Sequence, residues 1–159
     1  MKEKTIALAS DHGGYTLKEA VKGLLLKEGY PIEDLGPHGP ESVDYPDYGA
    51  KLAARISEGE FSRGILACGT GIGMSIVANK FPHVRGALCH DLYTATMSRQ
   101  HNDANILILG GRILETEMAL EIVKTWLNTP FEGERHSRRL EKIKTLDENL
   151  FSLREPGDL

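Results

Sequence analysis

Apolar residues along the chain form short runs, and these alternate with longer segments in which apolar residues recur every three or four positions. The short runs have the length and β-branched content of buried strands. In the longer segments, the spacing of three or four positions between apolar residues is that of an amphipathic helix. The short runs predict five strands, at residues 5–9, 32–35, 64–68, 84–89 and 106–109. The helical repeat predicts six helices, at residues 17–25, 48–56, 74–80, 92–101, 118–127 and 135–150.

Alternation of strands and helices predicts an α/β fold with a parallel sheet covered by helices on both faces. The chain has 159 residues, about the length of one domain. We therefore interpret residues 1–150 as a single domain and expect residues 151–159 to form a flexible tail.

Composition and charge narrow the class of protein. There are 19 basic and 23 acidic residues, giving a net charge of −4, which argues against nucleic acid as a partner. No apolar run approaches the ~20 residues of a membrane span, and the N-terminus lacks a signal-peptide pattern. Only two cysteines are present, too few for a disulfide framework. We expect a cytoplasmic protein with free thiols.

Polar and glycine-rich segments follow four of the predicted strands. In an open parallel sheet the carboxyl ends of the strands lie at one edge, where ligands bind. These segments should therefore meet at that edge. They are Ser10–Gly14, Cys68–Gly73, Cys89–Asp91 and Gly110–Arg112.

The segment Cys68-Gly-Thr-Gly-Ile-Gly73 is the strongest candidate for chemistry. Its three glycines allow backbone N–H groups to turn inward around an anion, although a plain tight turn is the alternative. Cys68 sits where a helix start favours a thiolate, which could act as a base or nucleophile. Packing as a small hydrophobic residue is the alternative there, and it is the interpretation we favour for Cys89.

Other candidates each allow a structural and a chemical interpretation. Asp11 and His12 could form a turn, or could move protons or hold a phosphate. His101 could cap a helix C-terminus or act as a general acid. Arg135 and Arg139 share a helix face, and no carboxylate lies within helical reach of Arg139, which suits an external anion, a tertiary salt bridge or solvent.

The histidines show no paired spacing typical of metal ligands, and neither cysteine has a C-x-x-C partner, so we expect no metal site. No cofactor motif is present either. Together, the candidate groups suit proton transfer on a phosphorylated carbonyl compound without a redox step.

Several of these motifs resemble those of type-B ribose-5-phosphate isomerases, over about residues 6–143. That superfamily also includes galactose-6-phosphate and allose-6-phosphate isomerases. The resemblance implies a Rossmann-like three-layer αβα sandwich with a five-stranded parallel sheet. It also implies a homodimer, or a tetramer, with active sites at the subunit interface. The motifs are Ser10–Gly14, Asp44–Pro46, Cys68–Gly73, Asn79–Lys80, Ser98–Asp103 and Arg135-His136-x-x-Arg139.

The resemblance also implies roles for individual residues. Cys68 would move a proton between C1 and C2 of the sugar, His101 would assist ring opening, and Asp11 would handle hydroxyl protons. Stabilisation of the enediolate would come from Thr70 and the backbone of Gly69, Gly71, Ile72 and Gly73. Phosphate would be bound by His12, Arg112, Arg135 and Arg139, some of them from the neighbouring subunit, and the sugar by Tyr45 and Asn102.

By this resemblance the expected reaction is interconversion of ribose 5-phosphate and ribulose 5-phosphate, a step of the non-oxidative pentose phosphate pathway, without metal or cofactor. A branch of the family uses a glutamate at the position that Met74 occupies here, which places this chain with the cysteine-using branch. Three alternatives remain open. They are a hexose-6-phosphate isomerase, a phosphosugar-binding sensor without catalysis and a thiol hydrolase with a covalent Cys68 intermediate.

Overall fold

The computed structural model describes residues 2–153. Within them five strands alternate with helices, and a sixth helix follows the last strand-helix unit. The elements are β1 (Lys2–Ser10), α1 (Tyr15–Lys27), β2 (Ile32–Asp34), α2 (Tyr45–Ser57), β3 (Phe61–Cys68), α3 (Ile72–Ala78), β4 (Gly86–Leu88), α4 (Leu92–Gln100), β5 (Ile106–Gly110), α5 (Thr116–Asn128) and α6 (Arg135–Ser152). Helix α6 therefore runs past the predicted domain end at residue 150, and residues 154–159 of the predicted tail lie outside the described part.

All five strands are parallel, in the order β2-β1-β3-β5-β4. This confirms the predicted five-stranded parallel sheet. The chain leaves β1 for β2 on one side and later returns to β3 on the other side. Open sheets place a crevice at the carboxyl ends of the strands where the order reverses in this way. Here that point lies between the ends of β1 and β3.

Two hydrophobic cores cover the two faces of the sheet, which confirms the three-layer αβα sandwich. Successive residues of β1 alternate between the cores: Ile6 and Leu8 pack with α1, α4 and α5, whereas Ala7 and Ala9 pack with α2 and α3. A strand buried on both faces needs apolar residues at every position. This explains why the strands appear in the sequence as continuous apolar runs.

A buried lysine joins α1 to the end of β2. Lys18 Nζ, whose side chain is 1% exposed, lies 2.8 Å from Asp34 Oδ1 and also donates to Pro37 O. Lys22 Nζ contacts Asp34 Oδ2 at 2.9 Å, and the Gly36 amide donates to Asp34 Oδ1. These contacts fix the start of the loop that leads to α2.

Helix α6 lies against the segment before β4, where the His83 amide donates to Asp147 Oδ2 at 3.2 Å. Its outer surface keeps apolar side chains in solvent, with Ile143 42% exposed and Leu146 and Leu150 each 59% exposed. Among residues 2–153, no helix combines the length and the apolar character that a bilayer crossing requires.

Candidate active site

Backbone hydrogen bonds tie together the loops that follow β1, β3 and β5. The Asp11 amide donates to Ala67 O at 3.2 Å, the Gly111 amide to Cys68 O at 2.8 Å, and the Arg112 amide to Gly69 O at 2.9 Å. Three of the four predicted segments thus meet at the carboxyl edge of the sheet.

The loop after β3 curls its backbone around the Cys68 sulfur. Sγ accepts a hydrogen bond from the Gly71 amide at 3.2 Å, and Cys68 is buried at 4% exposure. Gly71 has φ of 81°, a left-handed conformation that side chains disfavour, and a Cβ there would overlap the Leu88 side chain. The Thr70 hydroxyl oxygen accepts from the Ile72 amide at 3.3 Å. The loop therefore forms a cup of amides and a hydroxyl beside a thiol.

Asp11 and His12 lie on the rim of this cup. Asp11 is buried, and its Oδ1 accepts a hydrogen bond from the Gly14 amide at 3.0 Å, so the predicted turn is present. A Cβ built on Gly13 would lie 3.3 Å from that Oδ1 and 3.0 Å from the Gly69 amide nitrogen. The Asp11 carboxylate is therefore close to the backbone of the cup. His12 is exposed, and its Nδ1 lies 3.1 Å from Val43 O.

Tyr45 and Arg112 flank the same cup. The Tyr45 ring covers Gly73, where a Cβ would come within 2.7 Å of ring carbon Cε2. Arg112 lies against Gly69, with Nη1 3.2 Å from the position of a Cβ on that residue. Glycines at positions 69 and 73 thus let an aromatic ring and a guanidinium approach the loop closely.

Two nearby residues have structural roles. Met74 is fully buried and packs towards α2, with its sulfur 2.8 Å from a Cβ built on Gly49. Cys89 is buried, and burial raises the pKa of its thiol although hydrogen bonds with Ser98 and Thr94 act in the opposite direction. A neutral thiol in a core agrees with the packing role predicted for Cys89.

A second group of predicted site residues surrounds His101, which directly follows α4. The His101 ring stacks on the His136 ring, with centroids 4.2 Å apart and planes 14° apart. Arg135 Nε contacts His136 Nε2 at 3.3 Å. Burial, together with the neighbouring His101 and Arg135, lowers the pKa of His136, which favours a neutral ring. Asn102, Arg135 and Arg139 are exposed beside this pair.

The sheet separates the two groups within one chain. Cys68 pairs with Gly110 at the carboxyl end of β5, whereas His101 and Asn102 precede Ile106 at its other end. Ile106 and Gly110 are four steps apart, about 13 Å along a strand. The Cys68 group and the His101 group therefore lie at opposite edges of the sheet.

Sequence reasoning missed the contacts that His136 and Glu132 make with this second group. Donor atoms of His101, Glu132 and His136 lie within 4.8 Å of one another, an arrangement that could hold a metal ion. The i,i+4 spacing of Glu132 and His136 was visible in the sequence, but the stacking on His101 depends on how α6 meets α4. Arg135 Nε already contacts His136 Nε2, and the positive charge of this guanidinium would repel a metal cation bound at that nitrogen.

Comparisons with known proteins place the chain in a family. The model of the family described as Ribose/Galactose Isomerase matches residues 6–143. Ribose-5-phosphate isomerase B of Escherichia coli is 42% identical over 145 residues, covering 91% of this chain and 97% of that protein.

Solved structures give the same result. Ribose-5-phosphate isomerase B of Clostridium thermocellum is 51% identical, with a TM-score of 0.90 over 92% of this chain and 99% of that one. The Mycoplasma genitalium enzyme, solved with bound ribulose 5-phosphate, is 37% identical with a TM-score of 0.87 over 91% and 96% of the two chains. This chain therefore belongs to the Ribose/Galactose Isomerase family and is an aldose-ketose isomerase.

Proposed function

We propose that this chain interconverts ribose 5-phosphate and ribulose 5-phosphate, with Cys68 as the base and without a metal ion. The observation that carries the proposal is the Cys68 sulfur, which accepts a hydrogen bond from Gly71 inside the amide cup at the carboxyl edge. The relative from Mycoplasma genitalium, whose structure holds ribulose 5-phosphate, supports this choice of sugar.

The reaction needs a proton to move between neighbouring carbons. Starting from the open-chain aldose, the Cys68 thiolate takes the proton from C2, and the electrons of that bond form a C1–C2 double bond while charge develops on the carbonyl oxygen. We infer that the Thr70 hydroxyl and the amides of Gly69, Thr70 and Gly73 stabilise the enediolate, while the Gly71 amide donates to the Cys68 sulfur and the Ile72 amide to the Thr70 hydroxyl oxygen. Removal of such a donor commonly costs about 3–4 kcal/mol of transition-state stabilisation. Return of the proton to C1 gives the ketose.

Hydroxyl protons must also move between the two oxygens, and we infer that the buried Asp11 carboxylate on the rim of the cup carries them. His101 assists opening of the furanose ring as a general acid. Phosphate is held by His12 and Arg112 at the carboxyl edge and by Arg135 and Arg139, because guanidinium groups bind two phosphate oxygens at once.

This chemistry requires a second copy of the chain, since Cys68 and His101 lie at opposite edges of one sheet. We therefore infer a homodimer in which each site combines the Cys68 group of one copy with the His101 group of the other. Apolar side chains near the carboxyl edge are available for such contact: Ile72, Ile76 and Tyr93 are 56%, 58% and 72% exposed. Association of two dimers into a tetramer is compatible with the same interface.

A substrate panel tests the proposed reaction. Ribose 5-phosphate, ribulose 5-phosphate, allose 6-phosphate and galactose 6-phosphate are assayed with chelator present, for the wild type, Cys68→Ala and Cys89→Ala. We expect the highest kcat/KM for the five-carbon sugars. Loss of a general base should lower kcat for Cys68→Ala by about a hundredfold or more, whereas Cys89→Ala should keep its turnover.

The other outcomes separate the alternatives. Preference for a six-carbon phosphate would indicate a hexose-6-phosphate isomerase instead. Binding of ribose 5-phosphate without exchange of solvent deuterium into the sugar would indicate a sensor. A covalent Cys68 adduct detected by mass spectrometry would indicate a thiol hydrolase. Near-normal turnover of Cys68→Ala would show that another group is the base.

A further inference from the structure

A large cavity lies at the amino edge of the sheet, the edge that also carries the His101 group, but it is lined by other residues. Its volume is about 740 Å³, and it opens between the starts of β1, β3 and β5. Ser62 and Arg63 contribute to its wall from β3, six and five positions before Cys68, or about 17–20 Å along a strand. Within residues 2–153, its wall includes none of the residues assigned above to isomerisation.

Positive charge exceeds negative charge in this cavity. The wall carries the cations Lys4, Arg63, Arg85 and Arg99 against the carboxylates Glu28 and Asp103. Asp103 is shared, since its oxygens lie 2.9 Å from Arg99 Nη1 and 3.5 Å from Arg85 Nη2. Two of the four cations therefore remain uncompensated by the carboxylates among the wall residues that the structure describes.

Arg63 is a partly buried cation of this wall. Its Nη1 donates to Leu127 O at 2.9 Å, and among the side chains that the structure describes no carboxylate forms an ion pair with it. Burial and repulsion from Arg99 lower the pKa of Arg63, although Asp103 acts in the opposite direction. An anion beside Arg63 would offset both unfavourable effects.

The arginines are held in place before any ligand arrives. Arg63 and Arg99 lie on the Trp126 indole, 5.6 and 5.5 Å from the ring centroid. Arg99 is 4% exposed and donates to Ala104 O, while Arg85 Nε contacts Asn102 O and Asp103 O. Fixed side chains lose little entropy on binding, so this arrangement favours a ligand that fits it.

We propose that this cavity is a second ligand site, which binds a small metabolite carrying adjacent phosphate groups. Such a ligand supplies the two or more negative charges that the wall lacks, and guanidinium groups bind phosphate oxygens in pairs. The volume is within the ~300–1,000 Å³ of small-molecule sites. Tyr30 and Ile6 provide an apolar wall for the remainder of the molecule.

Inorganic pyrophosphate added to the full-length protein is a direct probe. Calorimetric titration gives the affinity, and amide NMR spectra show where the anion binds. We expect shifts at Gly29, Tyr30 and Asn105 that saturate with their own affinity, separate from any shifts in Gly69–Gly73. Arg63→Gln should weaken this binding by about tenfold or more, as expected for loss of a charge-assisted pair.

Control variants make the result specific. Arg138→Gln removes the same charge from an exposed position of α6 and should leave the shifts at Gly29 and Asn105 unchanged. Arg139→Gln removes a residue of the proposed isomerase site and should also leave them unchanged. Lys4→Glu places a carboxylate at an exposed position of the wall and should weaken binding even if Arg63→Gln fails to fold.

Three results would overturn the proposal. They are unshifted amides at Gly29, Tyr30 and Asn105, wild-type affinity in both Arg63→Gln and Lys4→Glu, or loss of those shifts in Arg139→Gln. The last result would place the anion in the isomerase site. None of them bears on the proposed reaction, which is tested by turnover of the sugar phosphates.

Discussion

At the scale of single residues, the cup around Cys68 depends on a backbone conformation that only glycine adopts at low cost. Gly71 has φ of 81°, and its amide is the donor to the Cys68 sulfur. Alanine there would be strained by the positive φ, and its Cβ would overlap the Leu88 side chain. One small side chain would thus displace the amide that faces the sulfur.

We predict that Gly71→Ala lowers the free energy of unfolding by about 2–3 kcal/mol, from the left-handed backbone and the overlap combined. Urea denaturation measures this change. Gly23→Ala is the matched control, because a Cβ on Gly23 in α1 meets no atom of the described chain within 4 Å. That substitution should be neutral or stabilising by up to about 1 kcal/mol. Equal losses in the two variants would contradict the proposed strain at Gly71.

At the scale of secondary structure elements, the contact between α1 and β2 rests on the charges around Asp34. Burial alone would raise the pKa of Asp34, but hydrogen bonds from Lys18, Lys22 and the Gly36 amide outweigh it and lower the pKa from 3.8 to about 2. A carboxyl group with a lowered pKa in the folded state stabilises the fold above its unfolded pKa. That contribution is lost as the pH falls from about 4 towards 2.

We therefore predict that Asp34→Asn lowers the free energy of unfolding by about 2 kcal/mol at pH 7, and that this difference shrinks as the pH falls below about 4. Denaturant titrations of the wild type and Asp34→Asn between pH 2.5 and 7 test both statements. Asp47→Asn, at an exposed position of α2, serves as the control and should change stability by less than about 0.5 kcal/mol. A loss from Asp34→Asn that is independent of pH would show that its carboxylate charge is not the cause.

The elements themselves were largely predictable from the sequence, because apolar period and length distinguish strands from helices. The ends of the elements were less predictable. A strand was predicted at residues 84–89, but β4 spans only Gly86–Leu88. Edge strand β4 pairs with β5 alone, over three residues, and single backbone hydrogen bonds to β5 continue one residue past each end, from the Cys89 amide to Ile108 O and from the Ile106 amide to Arg85 O. At the site, the segments after β1, β3 and β5 could be placed together because parallel strands end at one edge.

Tertiary contacts could not be predicted in this way. The stacking of His101 on His136 depends on where α6 meets the end of α4, which local sequence patterns do not encode. The same applies to the cavity lined by Arg63, Arg85 and Arg99, which come from distant parts of the chain. In the sequence these arginines appear as isolated charges.

At the scale of the whole molecule, the proposed site depends on the distance between two groups of one chain. Cys68 lies at one edge of the sheet and His101 at the other, with the length of β5 between them. Closed symmetry in a dimer makes each interface contact occur twice. Each chain contributes its Cys68 group to one site and its His101 group to the other, so that the dimer contains two complete sites.

Mixing of inactive variants tests this sharing of residues. Cys68→Ala and His101→Asn should each show little turnover, and equal amounts of the two should be exchanged through partial denaturation and refolding. Half of the dimers would then be hybrids, and each hybrid would carry one site with both Cys68 and His101 intact. We expect about a quarter of wild-type activity to return, as random pairing in a two-fold dimer dictates. A mixture of Cys68→Ala with Cys68→Ser is the control and should stay inactive. If the first mixture also stays inactive while its members refold and exchange, each site would have to be built within a single chain.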